Sequence, residues 1–311
     1  MKERMTGCLV FVLLIILIPC VITLLIGPEI TVPVSGTAEV GNGQVRLEGD
    51  GQRIDLQEYL IGVTAAQLPG DYSLEAVKAQ MILNRTYYYN VLGERNNLSG
   101  AELELTYLSA QERTARWIAE GCESAEENFL RAAVETEGLV MTCGRELAVG
   151  MYHRASAGQT RSLSEDYPYL RRVASEGDIR MDGYLTVVEY STAALAAKLK
   201  SLCSVELTES ALRTGLQILE KDESGYVESL LVGTEIYRGD DVASCLGLPS
   251  SAFSFQWLDN GNLQITCRGI GHGYGMSQYG ANCMAVDGKT ATEILSYYFQ
   301  NVAVETWKRD E

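Results

Sequence analysis

The feature that most restricts this chain lies near its start, where nineteen residues from Cys8 to Ile26 carry no charge. Such a run is long enough to cross the hydrocarbon core of a bilayer as an α-helix. Lys2 and Arg4 precede it, and basic residues on a short flank favour the cytoplasmic side. A cleaved signal peptide is the alternative, although the run is long for one and no A-x-A site follows closely. We predict a cytoplasmic tip at 1–6, a transmembrane anchor at 7–27 and an extracytoplasmic remainder.

The remainder of the 311-residue chain is long enough for one large domain. Residues 28–52 are rich in glycine, valine and threonine, which predicts an extended tether. Residues 53–304 then form the domain, and 305–311 form a tail. Helical periodicities mixed with short β-rich runs predict the α+β class, with helices packed on mostly antiparallel strands.

Local signals place the first helices of this domain. Asp55 is suited to cap a helix, and Pro69-Gly70 ends it. A second helix is predicted to open at Ser73 and to run to about Val91.

Two further patterns follow along the chain. Ser109 and Glu112 have the spacing of a capping box in front of a third helix. The runs 139–143 and 147–156 are β-rich and are joined by a tight turn at Gly144, which predicts a hairpin. The two predicted strands lead directly into one of the two stretches that contain histidine.

The net charge of −16 excludes one class of partner. An acidic surface repels the phosphate backbone, so we predict no nucleic-acid binding. The eight cysteines are widely spread and include no C-x-x-C pair, so metal-ligand spacing is absent. Disulfides and unpaired thiols both remain open for the six outside the anchor. We predict no metal and no other cofactor.

Both histidines of the chain lie in glycine-rich stretches. His272 lies in RGIGHGYGMSQYGANCMA (268–285), where the glycines predict backbone turns with positive φ or a close approach to another group. These structural glycines are Gly271, Gly273, Gly275 and Gly280. A loop of this kind that opens onto a helix can direct N–H groups and the side chains of Ser277 and Gln278 at a ligand. A phosphate loop is the rival, but no lysine follows the glycines and no βα unit precedes them.

An uncharged amide, Gln67, occupies the neck between the first two helices in EYLIGVTAAQLPGDYSLEAVKAQMILNRTYYY (58–89). Sugar-cleaving sites need a carboxylic acid to protonate the leaving oxygen, and glutamine cannot exchange that proton. The carboxylates nearby in sequence each suit a structural role. Glu75 suits the N-terminal turn of a helix, and Asp71 suits a turn.

Three stretches in sequence resemble the stage II sporulation protein D (SpoIID)/LytB amidase-enhancer family. They are the neck segment just quoted, MYHRASAGQT…YPYLRRV and GIGHGYGMSQYGANCMA. The resemblance covers about residues 53–304 and implies a SpoIID-like fold behind a membrane anchor. It also implies a role in the cell wall of spore-forming bacteria. Family members of the sporulation branch cleave glycan strands as lytic transglycosylases, with partner hydrolases, during engulfment.

The resemblance implies a mechanism that needs one glutamate at the neck. That residue protonates the glycosidic oxygen, then accepts the proton of the muramyl 6-hydroxyl as it closes on C1 to give a 1,6-anhydro end. Here the position holds Gln67, so we predict weak or no catalysis and a protein that acts by binding glycan. One alternative is an active enzyme that uses Glu75 or Asp71 as its acid. Another is a non-catalytic scaffold or activator of a cell-wall amidase.

The resemblance also implies residues that contact the glycan. They are Tyr152, His153, Thr160, His272, Ser277 and Gln278. A purely structural role is the alternative for each of them. The second motif departs from the family pattern at Arg154 and Ala157. Some relatives bind zinc between the second helix and the hairpin, but residues 90–121 contain neither cysteine nor histidine, so we predict no zinc.

Overall fold

The computed structural model describes residues 44–46, 53–95, 98–202 and 207–307. The predicted tip and anchor lie outside these ranges and stay predictions, as does the location of the domain outside the membrane. None of the helices in the part of the chain described combines the length and the hydropathy that crossing a membrane requires.

Helices and strands alternate along the described chain. The helices are α1 Leu56–Gln67, α2 Leu74–Leu92, α3 Gly100–Leu103, α4 Ala110–Glu120, α5 Ala125–Glu135, the 3₁₀ helix Glu176–Arg180, α6 Thr192–Leu199, α7 Glu209–Gly215, α8 Gly239–Leu246, α9 Gln278–Val286 and α10 Ala291–Tyr298. The strands are β1 Gln44–Arg46, β2 Arg53–Asp55, β3 Leu98–Ser99, β4 Leu139–Cys143, β5 Glu146–Leu147, β6 Tyr152–His153, β7 Leu185–Tyr190, β8 Leu216–Lys221, β9 Val227–Val232, β10 Glu235–Arg238, β11 Phe253–Trp257, β12 Leu263–Arg268, β13 Met276–Ser277 and β14 Ala303–Thr306.

The strands form small sheets, in the orders β2-β1-β3, β10-β9-β8, β11-β12-β7, β13-β6 and β14-β4-β5. Most pairs are antiparallel, whereas β1 with β3 and β6 with β13 are parallel. The prediction of helices combined with mostly antiparallel strands is therefore confirmed. Strand β1 falls within the predicted tether and its Val45 is fully buried, while β14 extends into the predicted tail.

The predicted helix signals at the N-terminal side are confirmed. The Asp55 carboxylate accepts a hydrogen bond from Gln57 N at 2.7 Å and caps α1. Ser109 and Glu112 form a reciprocal capping box on α4. Helix α2 is central, because it contacts α1, α5, α9, α10 and β4. This arrangement places one face of α2 against the neck and another against the C-terminal helices.

The apolar core has separate parts. One lies among α1, α2, α4 and α5 and contains Tyr59, Trp117 and Phe129, and a second lies between α2, β4 and α10. A third belongs to residues 185–268, which we call the β-lobe, and includes Val227 and Phe253. Complete burial of a side chain such as Phe129 contributes about 1.5–3 kcal/mol.

The predicted hairpin is confirmed, because β4 pairs antiparallel with β5 across the turn at Gly144, but its second strand is much shorter than the predicted run 147–156. Between the turn at Gly144 and residue 156, the strands are Glu146–Leu147 and Tyr152–His153. The residues after Tyr152–His153 pair with distant segments instead. Ala155, for example, bridges to Ile270. The five described cysteines, Cys122, Cys143, Cys245, Cys267 and Cys283, are all unpaired thiols.

Candidate functional site

Gln67 is the last residue of α1 and lies at the neck that joins α1 to α2. Leu68 N donates to Thr64 O at 3.0 Å and closes the helix. A Cβ on Gly70 would lie 2.6 Å from Cδ1 of Trp117, so helix α4 packs directly against the turn and only glycine fits there. The neck is therefore held from one side by α4 and from the other by α2.

A chain of amide groups holds the Gln67 side chain. Its Oε1 accepts hydrogen bonds from Gln80 Nε2 at 2.9 Å and from Asn84 Nδ2 at 2.8 Å, both on α2. Asn84 Nδ2 also donates to Thr64 Oγ1 at 3.0 Å. From α9, Gln278 Nε2 donates to Gln80 Oε1 at 3.3 Å. These contacts connect the neck to the helix that follows the second glycine-rich stretch.

The direction of these hydrogen bonds determines which amide atom of Gln67 is left unpaired. Because Oε1 is the acceptor of two N–H groups, the other atom is Nε2, which has no hydrogen-bond partner among the residues that the structure describes. A glutamate at position 67 could accept hydrogen bonds from the same two donors through one carboxyl oxygen. Its second oxygen would lie where Nε2 of Gln67 lies. Two N–H donors stabilise a carboxylate. The surroundings of Gln67 are thus suited to a carboxylate.

Glu75 forms an ion pair and a hydrogen bond with other parts of the fold. Its Oε1 forms an ion pair with Lys78 Nζ at 2.6 Å, and its Oε2 accepts from the backbone N of Ala291 at 2.7 Å, at the start of α10. Asp71 is exposed on the turn. Both oxygens of Glu75 are therefore engaged, as a structural role requires.

The structure brings a further carboxylate, Glu120, to the neck. Its Oε1 pairs with Arg116 Nε at 2.6 Å, and its Oε2 accepts from Gly70 N at 3.3 Å. Arg116 also donates to the carbonyl oxygen of Ala65 near the end of α1. No local pattern in the sequence pointed to Glu120, because its partners at the neck lie about fifty positions away in the chain.

The second glycine-rich stretch forms the loop 269–275, which we call the Gly-His loop. The prediction of positive φ is confirmed at Gly269 (73°), Gly271 (106°), Gly273 (84°) and Gly275 (71°). A Cβ on Gly271 would lie 2.7 Å from Cβ of His153, and a Cβ on Gly275 would overlap the carbonyl oxygen of Met151. The loop therefore packs backbone to backbone against the segment around β6.

The two histidines meet at this contact, with ring centroids 5.7 Å apart. His153 is 4 % exposed, and its Nδ1 hydrogen-bonds the carbonyl oxygen of Tyr274 at 3.1 Å, which assigns the proton to Nδ1. Its Nε2 is buried and lacks a partner among the described residues. The His272 ring is exposed, stacks on Tyr274, and accepts from Tyr274 N at 3.0 Å through Nδ1. Burial, assisted by His272, lowers the pKa of His153 to about 3.

This shift predicts that the protein loses stability as the pH falls. The unfolded chain binds a proton at His153 near pH 6.5, whereas the folded protein does so only near pH 3. The stabilisation is therefore complete above pH 6.5 and declines toward pH 3. Between pH 7 and pH 5 the free energy of unfolding should fall by about 2 kcal/mol on account of His153. Urea denaturation at both pH values measures this difference, and His153→Gln should reduce it. An equally steep pH dependence in that variant would contradict the assignment.

The other residues predicted to contact glycan lie mostly inside the protein. Tyr152 is half-buried, and burial raises its pKa to about 12. Thr160 is fully buried, with Oγ1 donating to Arg171 O and accepting from Val173 N. Ser277 and Gln278 are also buried and engaged, as described for Gln278 above. These contacts favour a structural role for Thr160, Ser277 and Gln278, while His272 stays accessible.

Arg161 is a site residue that the sequence did not indicate. Its guanidinium is 4 % exposed and pairs with Asp222 at 2.6 Å and with Asp240 at 3.4 Å. It lies over the rings of Tyr226 and Tyr274, at 4.8 Å and 4.5 Å from their centroids. A further bond from Arg161 to the carbonyl oxygen of His272 ties the Gly-His loop to the β-lobe.

The described residues include no group of three or more His, Cys, Asp or Glu side chains placed to hold a metal ion. Both histidines use Nδ1 in a hydrogen bond with Tyr274, His153 with its carbonyl oxygen and His272 with its N–H. The contact between the histidines thus presents hydrogen-bonding groups and aromatic surface.

Several known proteins are similar in sequence to most of this chain. The SpoIID family model, described as "Stage II sporulation protein", matches residues 49–143. Stage II sporulation protein D of Bacillus subtilis (strain 168) is 30% identical over 266 residues, covering 81% of this chain and 75% of that protein. Its counterpart in Bacillus amyloliquefaciens is 29% identical over the same length. The amidase enhancer of Bacillus subtilis is 23% identical over 300 residues, covering 80% of this chain and 40% of that protein. The extent of these matches confirms the resemblance and shows that the chain belongs to the SpoIID family of stage II sporulation proteins.

Proposed function

We propose that this protein binds the glycan strands of peptidoglycan between the neck and the Gly-His loop, and cleaves them weakly or not at all. The observation that carries the proposal is the state of Gln67. Its Oε1 accepts hydrogen bonds from Gln80 and Asn84. Its Nε2 has no partner among the described residues and lies where the second carboxyl oxygen of a glutamate would lie. Membership of the SpoIID family supports a cell-wall role in sporulation.

The chemistry explains why one atom matters so much. In the proposed ancestral reaction, the carboxyl group first donates a proton to the glycosidic oxygen and then accepts one from the muramyl 6-hydroxyl. An amide does neither. A single acid or base contribution is worth about 10²–10⁴-fold in rate, and both steps depend on the same group. The glycan can still bind through hydrogen bonds and through contact with the exposed His272 ring.

An active enzyme with another acid is less well supported by the geometry. Glu75 would have to release both Lys78 and the backbone N–H of Ala291 before it could approach a glycosidic oxygen. Asp71 is exposed on the turn, so the protein does not enclose it in a cleft beside the neck. These contacts support weak or absent catalysis in preference to a replacement acid.

A second candidate function is activation of a cell-wall hydrolase. The observation in its favour is the similarity to the amidase enhancer, whose name describes a protein that enhances an amidase. We further propose that the domain lies outside the cytoplasmic membrane, held by the segment 7–27. Glycan binding and hydrolase activation are both functions at the cell wall. They differ in whether the protein contacts glycan or a partner protein.

A binding and cleavage assay on the purified full-length protein separates these functions. Denuded glycan strands should co-sediment with the protein and yield no anhydro-muramyl ends above the protein-free control by mass spectrometry. His272→Ala should lower the bound fraction, whereas Ile236→Ala, an exposed position in the β-lobe, should leave it unchanged. Abundant anhydro ends from the unmodified protein would contradict the weak-catalysis proposal. An absence of binding, with faster release of stem peptides by an added amidase, would favour the activator.

A further inference from the structure

Asp178 is a buried carboxylate that no sequence motif or relative's name assigns. It lies in the 3₁₀ helix Glu176–Arg180 and is fully buried. No Lys, Arg or His side chain among the described residues forms an ion pair with it, and burial raises its pKa. A buried charge without a counter-ion is retained only where hydrogen bonds compensate its lost hydration. The compensation here comes from Ser156 and Ser277 on two distant segments, and from Ser175 just ahead of the 3₁₀ helix.

Asp178 accepts hydrogen bonds from the second and the third of the three family motifs. Its Oδ2 accepts from Ser156 N at 2.7 Å and from Ser156 Oγ at 2.6 Å. Its Oδ1 accepts from Ser277 Oγ at 2.7 Å. The motif segments themselves pair in parallel over only two residues each, in β6 and β13. Backbone hydrogen bonds outside this ladder, such as Ala155 N to Ile270 O at 3.1 Å, also join the segments. The shared carboxylate adds a buried side-chain link between them, beside the short ladder.

A series of hydrogen bonds connects Asp178 to the neck. Ser277 Oγ also accepts from Gly280 N at 3.1 Å and thereby caps α9. The first residue of α9 is Gln278, which donates to Gln80, and Gln80 donates to Gln67. Helix α9 is thus capped by Ser277, the residue that Asp178 holds, and its first residue, Gln278, contributes the side chain that joins the amide network.

The carboxylate of Asp178 determines which groups donate and which accept in this series of hydrogen bonds. An ionised Asp178 only accepts hydrogen bonds, so the Ser277 hydroxyl must donate to it and keep its lone pairs for Gly280 N–H. An asparagine would place an N–H₂ group against one of the serine donors and force a hydroxyl to turn. Tight packing leaves little room to absorb the change, because a Cβ on Gly280 would overlap the Tyr298 hydroxyl and Ser175 Oγ.

The geometry points to Asp178 as a positioning residue: it joins the two motif segments and, through Ser277 and Gln278, sets the orientation of Gln80 and Gln67. Asp178 does not touch the glycan itself, because it is fully buried. The inference concerns the architecture of the site and rests on the proposed function only where glycan affinity is measured.

Two readouts on the full-length protein test this role, with Asp182→Asn as a matched control. Asp182 is an exposed acid four positions away, so its variant removes the same charge from the same segment. Asp178→Asn should shift the side-chain amide NMR signals of Gln278 and Gln80, assigned by single substitution, in the absence of glycan. It should also weaken glycan binding tenfold or more at a temperature well below its melting midpoint, where loss of stability alone leaves the affinity unchanged. Asp182→Asn should do neither.

The outcomes separate the inference from the proposed function. Unchanged amide signals in a folded Asp178→Asn variant would overturn the positioning role, whether or not glycan binds. Failure of the unmodified protein to bind glycan would count against the proposed function alone, and the amide signals would still decide the role of Asp178. Should Asp178→Asn not fold, Ser277→Ala replaces it, because it leaves the carboxylate with Ser156 and removes the hydroxyl that joins Asp178 to the N-terminus of α9. The same shifts are then expected, and their absence overturns the inference.

Discussion

Replacing Gln67 by glutamate is expected to raise the rate of anhydro-muramyl product formation from denuded glycan strands by about 10²–10⁴-fold. The existing donors, Gln80 Nε2 and Asn84 Nδ2, would hold one carboxyl oxygen as they now hold Oε1. The second oxygen would take the place of the unpaired Nε2, where a proton can be given and taken back. No repacking is required, because the amide and the carboxylic acid have nearly the same size and shape.

Gln67→Ala is the matched control for this gain. It removes the amide without adding an acid, so its product level should stay at that of the unmodified protein in the same mass-spectrometric assay. A folded Gln67→Glu variant that binds glycan and still forms no anhydro ends would show that the loss of activity extends beyond position 67. In that event the departures at Arg154 and Ala157 would be the next positions to restore.

Gly275→Ala is expected to lower the free energy of unfolding by about 2–5 kcal/mol. A left-handed backbone costs a residue with a Cβ about 1–2 kcal/mol, and overpacking adds about 1–3 kcal/mol. The overlap is with the carbonyl oxygen of Met151, which accepts the N–H of Met276 at 3.0 Å. The new methyl group would therefore push apart the contact that begins the pairing of β6 with β13. Urea denaturation at pH 7 measures the loss.

Gly247→Ala separates the two contributions to that loss. Gly247 has the same φ of 71°, but a Cβ there would meet nothing within 4 Å. Its alanine variant should lose only about 1–2 kcal/mol, the cost of the backbone conformation. Equal losses in the two variants would mean that the segment around Met151 yields easily and that the Gly-His loop is not held by close packing.

Features set by neighbouring residues could be predicted from the sequence. The Asp55 cap, the capping box of Ser109 and Glu112, and the turn at Pro69-Gly70 each depend on a few adjacent positions, and each is confirmed. The positive φ angles of the Gly-His loop are also confirmed, because glycines at alternate positions indicate backbone turns whatever fold surrounds them.

Features set by distant residues could not be predicted. Two of the serines that bond Asp178, Ser156 and Ser277, lie 22 and 99 positions away along the chain, so no local pattern relates them to it. Helices α7 and α8 also went unpredicted, since each is only seven or eight residues long and has a short apolar face. The role of Gln67 is intermediate: the sequence located it at the neck, and the structure supplied Gln80 and Asn84 as its partners.

The buried guanidinium of Arg161 has a consequence for how the domain comes apart. If the β-lobe detached alone, Arg161 would lose Asp222 and Asp240 while still confined beside the Gly-His loop. Breaking a buried ion pair by removing one partner costs about 3–5 kcal/mol. Although their apolar cores are separate, the β-lobe and the rest of the domain are coupled through Arg161, and we expect them to unfold together in one cooperative transition.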